Sequence, residues 1–147
     1  MIRKKGFSLV EMLIVLAVMA TLIATITPVA MNAIRKAKAV QVAFNLKVLT
    51  AGMENKILLD SEVPENIKVI GRDIDATSYG VAYSASGGHY AIVAFTTSEV
   101  HFDSVNETLK DATDTSSVIP ADALYLPGGL QDASNAKVFY RVDFDIY

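Results

Sequence analysis

Gly6-Phe7-Ser8-Leu9-Val10-Glu11 place a lone carboxylate just inside an almost unbroken apolar run that continues to about Met31. Behind them stand three cations, Arg3, Lys4 and Lys5. A charged side chain within a membrane-length segment costs about 2.5–3.5 kcal/mol on insertion scales, and ionisable groups at such depth usually mark function. The chemistry on offer is ion pairing. A carboxylate there calls for a cationic partner, because each charge would then offset the desolvation of the other. Gly6, behind the basic tip, is a possible cleavage point. Taken singly, Gly6 is an ordinary loop glycine and Phe7 a lipid-facing aromatic; only the combination is diagnostic.

The other polar residues offer less. Asp111 with Asp114, and Asp73 with Asp75, supply oxygen ligands in pairs, but neither pair has EF-hand-like spacing and Ca²⁺ wants six to eight oxygens. Solvated loop carboxylates are the simpler reading, and no metal is expected. His89 and His101 are the only histidines and stand in no Ser/Asp constellation or metal spacing. No catalytic residue and no cofactor are therefore expected, and the chain is read as a non-enzyme. The absence of cysteine excludes a disulfide framework, a thiolate zinc site and a cysteine nucleophile. Gly87-Gly88 reads as a hairpin turn, not a phosphate loop. Asn106-Glu107-Thr108 is a formal glycosylation match of a kind common by chance.

The elements that must position Glu11 begin with a helix. From Phe7 to Met31 the only polar side chains are Ser8, Glu11, Thr21, Thr25 and Thr27, and a helix of that length, about 37 Å, crosses a hydrocarbon core of about 30 Å. It is too long for a cleavable secretory signal, whose apolar region runs to about 15 residues. A plain one-pass anchor fits the length but leaves Glu11 unexplained. The basic tip holds the N-terminus in the cytoplasm and the remainder outside. Pro28 deprives the Ala24 carbonyl of its helical partner, so a kink is expected there, with the threonine hydroxyls available for back-bonding.

Beyond Met31 the pattern turns amphipathic. Val42, Leu46, Leu49, Met53 and Ile57 form one helical stripe, most simply the face on which a sheet packs. Asp60-Ser61 and Pro64 should end the helix. After Glu62–Asn66 the period becomes two. Tyr79, Val81, Tyr83 and Ala85 make one strand, and Tyr90, Ile92 and Ala94 its hairpin partner. Val138, Tyr140, Val142, Phe144 and Ile146 form a last strand, with Arg141, Asp143 and Asp145 on its opposite face. Glu99–Phe102 is expected to be a further short strand, residues 103–122 a surface loop, and Pro127-Gly128-Gly129 a turn. The fold class is α+β, a ladle of one long N-terminal helix, half membrane and half amphipathic, packed on a C-terminal antiparallel sheet. The expected divisions are 1–6 leader, 7–31 transmembrane helix, 32–60 amphipathic helix and 61–147 globular head.

Charge follows the same divisions. The net −3 of the 147 residues separates into +3 over 1–6, −1 over 7–31, +3 over 32–60 and −8 over 61–147. An acidic head makes general nucleic-acid binding unexpected, since phosphate contact needs clustered Lys and Arg. Arg35, Lys36 and Lys38 follow the apolar run closely. They are placed to touch lipid phosphates in the membrane or acidic heads afterwards, the plain alternative being a solvated helix face.

The first 35 residues or so resemble the class III signal of type IV pilins and pseudopilins. They share its basic leader, Gly6 before an aromatic, Glu11 at the fifth place after the cut, about twenty apolar residues and an internal proline. The resemblance implies cleavage by prepilin peptidase between Gly6 and Phe7, N-methylation of Phe7, and polymerisation through the helix into a homo-oligomeric fibre. Motor ATPases and an inner-membrane assembly platform would come from other proteins. Glu11 of one subunit would meet the Phe7 amine of its neighbour, the plain alternative, above all for the isolated membrane subunit, being that Glu11 binds its own N-terminus or lies in the headgroup layer. The fibre would serve adhesion, motility or DNA uptake as an extracellular pilus. The alternatives are a periplasmic pseudopilus of a type II secretion system, or a minor tip pilin that binds DNA or a surface. In the family the stretch before the proline is associated with local melting, often at a glycine; this chain has Ala20 and no glycine between 7 and 51, so a simple kink is expected. The head lacks the cysteines of many pilins and the Trp-containing segment of major pseudopilins, and it does not assign a subgroup.

Overall fold

A computed structural model describes residues 6–147, so the basic leader residues Arg3, Lys4 and Lys5 lie outside the described residues. Helix α1 runs from Leu9 to Asp60 and passes through Pro28 without interruption. The chain divides into two compact units, Met1–Ile34 and Arg35–Tyr147. In the first, every described side chain is exposed, apolar ones included, from Leu9 at 78% to Ile34 at 61%. The hydroxyls of Thr21, Thr25 and Thr27 donate to the carbonyls of Ala17, Leu22 and Ile23 at 2.9, 2.9 and 2.7 Å. This back-bonding removes their polarity from a helix that has no protein cover.

In the second unit the amphipathic stripe behaves as its spacing predicts. Val42, Leu46, Leu49, Met53 and Ile57 are all at most 2% exposed, and Ala39, Ala43 and Thr50 join them on the same face. Burying each large side chain contributes on the order of 1.5–3 kcal/mol before chain entropy is counted. Asp60 ends the helix, and Ser61 takes a positive φ of 56°. A single turn, α2 (Ile67–Ile70), follows, capped by Asn66, whose Oδ1 accepts from the Lys68 amide at 2.9 Å. Ile67 sends its side chain into the core beneath α1.

The sheet is antiparallel throughout, and the fold is α+β as the periodicities predict. β1 (Tyr79–Ser86) and β2 (His89–Thr96) form a hairpin closed by Gly87-Gly88, both at positive φ, the backbone that a two-residue turn needs. β5 (Val138–Asp145) pairs along all of β2, and two-residue strands β3 (Ala112–Thr113) and β4 (Leu124–Tyr125) flank β5 and β1 in the order β3-β5-β2-β1-β4. Tyr79, Val81, Ile92, Ala94 and Val138 meet the α1 stripe.

Two expectations need correction. Glu99–Phe102 is not a strand: helix α3 (Phe102–Thr108) begins at Phe102. Residues 103–122 are not simply a surface loop, because they carry most of α3, all of β3 and a 3₁₀ turn at Ser116–Val118. The apolar residues Phe102, Val105 and Leu109 recur at i+3 and i+4, one short helical face that is hard to see among so many Asp, Ser and Thr. Val105 and Leu109 are buried against the α1 side of the sheet. The sheet also has a second covered face. Ala82, Val93, Phe95, Ala133 and Phe139 form a smaller core there, closed by Val118, Ile119, Tyr125 and Leu130 from the long connection.

That smaller core depends on one glycine. Gly80 pairs with Phe95 across the hairpin, and a Cβ at Gly80 would fall on the Phe95 ring and 2.7 Å from the Leu130 carbonyl oxygen. Gly80→Ala should therefore destabilise the protein by about 1–3 kcal/mol through overpacking. Thermal unfolding of the full chain in detergent checks this, and an unchanged midpoint would refute it. On the open part of β5, Asp143 accepts from the Arg141 guanidinium at 2.7–3.1 Å, and this bond holds its carboxyl below the ordinary value despite partial burial. A depressed carboxylate stabilises the fold above about pH 4 and loses that contribution as pH falls through the lowered value. Both side chains are more than a third exposed, so screening limits the pair to roughly 0.2–1 kcal/mol. Arg141→Ala should lower the midpoint slightly at neutral pH, with the difference from wild type closing in strong acid.

Candidate functional site

The residues with functional promise cluster at the start of α1. Gly6 and Phe7 precede the helix, belong to no regular element and are exposed, Phe7 at 81%. A Cβ at Gly6 would meet nothing within 4 Å, so among the described residues no packing demands glycine there. The Gly6–Phe7 bond lies between two exposed residues.

Glu11 is not idle in the uncut chain. Its Oε2 accepts from the Ser8 amide at 2.7 Å, while Ser8 Oγ accepts from the Glu11 amide at 3.4 Å. Ser8 precedes the first helical residue and Glu11 is the third residue within, so the two side chains form a reciprocal capping box. The Ser8 carbonyl opens the helical ladder by accepting from the Met12 amide at 3.2 Å. Two of the amides that every helix leaves unpaired at its start are satisfied in this way, and the carboxylate sits at the positive end of the helix. The signal for it in the sequence is Ser-x-x-Glu just ahead of an apolar run. Cleavage would place the Phe7 ammonium one residue upstream of the amide that Glu11 already holds.

The other predicted positions are dispersed. Asp75 is taken up by its own turn, accepting from Thr77 N, Thr77 Oγ1 and Ser78 Oγ at 2.7–3.0 Å. These hydrogen bonds hold its carboxyl below the ordinary value. Asp73, Asp111 and Asp114 are exposed, and among the described residues no three His, Asp or Glu side chains gather as metal ligands do. His89 opens β2 and lies 2.8 Å from Asp145 and 3.5 Å from Asp143 on the outer face of the sheet. His101 precedes α3, with Asp103 at 3.8 Å. Neither histidine faces a nucleophile. Asn106 of the formal glycosylation match is half-buried within α3.

Among the described residues one helix, α1, is long and apolar enough to cross a membrane, and none of its most apolar stretch is buried. Comparison with curated proteins and with solved structures finds no match. The family model described as the prokaryotic N-terminal methylation motif matches residues 1–27, which take in the Gly6–Phe7 bond, the Ser8–Glu11 box and the apolar helix as far as Thr27. This motif belongs to structural proteins, not to enzymes. Over residues 1–27 the chain therefore carries the class III signal of type IV pilins and pseudopilins, on an α+β fold with the long N-terminal helix that such a signal implies.

Proposed function

We propose that this protein is a structural subunit of a type IV pilus-like fibre, held in the inner membrane by the first half of α1 until assembly. The observation that carries this reading is the helix from Leu9 to Ile34, apolar and wholly uncovered by its own chain, behind a methylation motif. Such a surface must be covered by lipid or by other copies, since exposed patches beyond a few hundred Å² are otherwise unfavourable in water. Prepilin peptidase cuts between Gly6 and Phe7 and N-methylates Phe7. Cleavage removes three cations, taking the formal charge from −3 to −6, and leaves an ammonium beside an apolar helix. In the fibre, Glu11 of one subunit meets the Phe7 amine of the next, and a mismatched neighbour leaves both charges unpaired. That penalty sets the axial stagger. In the head half, Val40 and Phe44 also stay exposed on α1 at 50% and 62%, apolar surface available to neighbouring subunits.

The capping box makes the charge pair separable from helix capping. Glu11→Gln keeps a side-chain acceptor for the Ser8 amide, because glutamine also serves at this position of the box, but it removes the charge. The expected outcome is normal insertion and cleavage, with the yield of sheared fibres at least about tenfold lower, as for a tight ion pair worth more than roughly 1.4 kcal/mol. Wild-type fibre yield from Glu11→Gln would reduce Glu11 to a helix cap and end the stagger mechanism. Gly6→Val should leave the thermal midpoint unchanged, since its side chain has open space, while blocking release of the leader. Mass spectrometry of the N-terminus reads this directly: a Gly6→Val variant cleaved as efficiently as wild type removes the proposed role of Gly6.

A further inference from the structure

At the beginning of the second unit, Arg35, Lys38, Glu99, Val100 and His101 line an open cleft of about 470 Å³. Arg35 and Lys38 are three residues apart on α1 and so share one side of the helix; His101 comes from the opposite wall, just ahead of α3. Among the described residues neither Arg35 nor Lys38 lies within ion-pair distance of a carboxylate, although Lys36 between them reaches 3.9 Å from Glu107. Glu99, the one carboxylate lining the cleft, is 3.7 Å from Lys137, and Asp103 stands 3.8 Å from His101. The cleft thus presents two cations that the fold does not use.

Its place along the chain indicates what they are for. Arg35 follows Ile34, the last residue of the uncovered apolar stretch, in the same helix. A bilayer of about 40–45 Å has a core of about 30 Å, which leaves roughly 5–8 Å of headgroup on each side. Arg35 to Lys38 rise about 4.5 Å along the helix axis. With Glu11 at the inner boundary of the core, Arg35 lies about 36 Å further along the helix axis, about 6 Å past a core of about 30 Å and so at the level of the lipid phosphates.

We propose that the cleft binds the phosphate of an anionic phospholipid on the extracytoplasmic side of the membrane while the subunit awaits assembly. Arg35 offers a planar fork to two phosphate oxygens, Lys38 a point charge, and His101 a ring N–H donor. Val100 gives the glycerol an apolar wall. The proposal rests on the membrane-spanning part of the functional reading and is independent of cleavage and polymerisation.

The test reconstitutes the full-length protein in nanodiscs of phosphatidylcholine with a minor fraction of phosphatidylglycerol, followed by native mass spectrometry of the released protein. Phosphatidylglycerol should be retained well beyond its share of the disc, and the Arg35→Gln/Lys38→Gln double variant should lose about tenfold or more of that retention. Arg72→Gln, an exposed cation away from the cleft, should retain it as wild type does. Equal retention of both lipids, or undiminished retention by the double variant, would overturn the site. Displacement of the lipid by inorganic phosphate at modest concentration would make it a site for the free ion and refute the lipid assignment. A photo-crosslinker at position 101 should label lipid; labelling of a second copy's acidic head in its place would assign the cleft to fibre contacts. Failure of the wild type to enter discs refutes the membrane reading itself, and is distinguished by its appearance before any lipid is scored.

Discussion

The constraint on which everything else depends is that one helix must satisfy two solvents. From Leu9 to Ile34 no side chain of α1 is covered by its own chain, whereas from Ala39 onward every third or fourth residue is sealed against the sheet. The change falls at Arg35–Lys38, where cations replace apolar residues. A helix of 52 residues is stable over such a length only because each half has something to pack on. For the second half this is the head. For the first, under the proposed function, it is lipid or another copy of the helix, and the methylation motif is found where that demand arises.

Glu11 stands at the edge of this demand and carries two obligations. As a helix cap it satisfies the Ser8 amide and keeps a polar end from being stranded in an apolar layer. As a charge it remains a liability that only a cation can settle. The first obligation explains how a carboxylate is tolerated in the uncut chain, since a carboxylate that accepts from a helix N-terminus is partly compensated. Under the proposed function the second would be met by a cut ahead of Phe7, which would turn a neutral peptide group into an ammonium. A residue that served capping alone would be as well filled by glutamine.

Sequence periodicity made the larger elements legible. The stripe from Val42 to Ile57, the hairpin about Gly87-Gly88 and the alternation from Val138 to Ile146 all repeat often enough for one face to stand out. What stayed hidden was short or bound by tertiary contact. α3 rests on three apolar residues within seven or eight, and β3 and β4 on two residues each, which no local pattern can mark. The second core was concealed because Phe139 lies on the face of β5 that otherwise reads Arg141, Asp143, Asp145; its burial depends on a connection from Val118 to Ala136 with no period of its own. At the candidate site, Gly6, Phe7 and Glu11 stand out by type and spacing, and Ser8 with Glu11 has the Ser-x-x-Glu spacing of a capping box; that the carboxylate turns back onto the Ser8 amide is visible only in the side-chain geometry.

The head is built so that its sheet does not compete with the helix as a sticky surface. An open strand edge is a template for pairing with another chain, and a five-stranded sheet has two. Here β4 covers β1 only at Ala82 and Tyr83, and β3 covers β5 only at Phe139 and Tyr140. Further along β1 the Val81 and Tyr79 carbonyls accept from the Leu126 and Leu130 amides at 2.8 and 2.9 Å, and polar side-chain contacts stand beside other parts of the edges. Asp122 accepts from Ser84 beside β1, and Arg141 binds both Asp143 and the Val118 carbonyl beside β5. A neighbouring strand would have to displace these contacts and bring a −8 head against another of the same charge. Repulsion between heads together with edges blocked by charge directs association to the apolar half of α1. If, as proposed, the chain waits singly in a membrane and then joins others in one register, an indifferent head is as necessary as an adhesive helix.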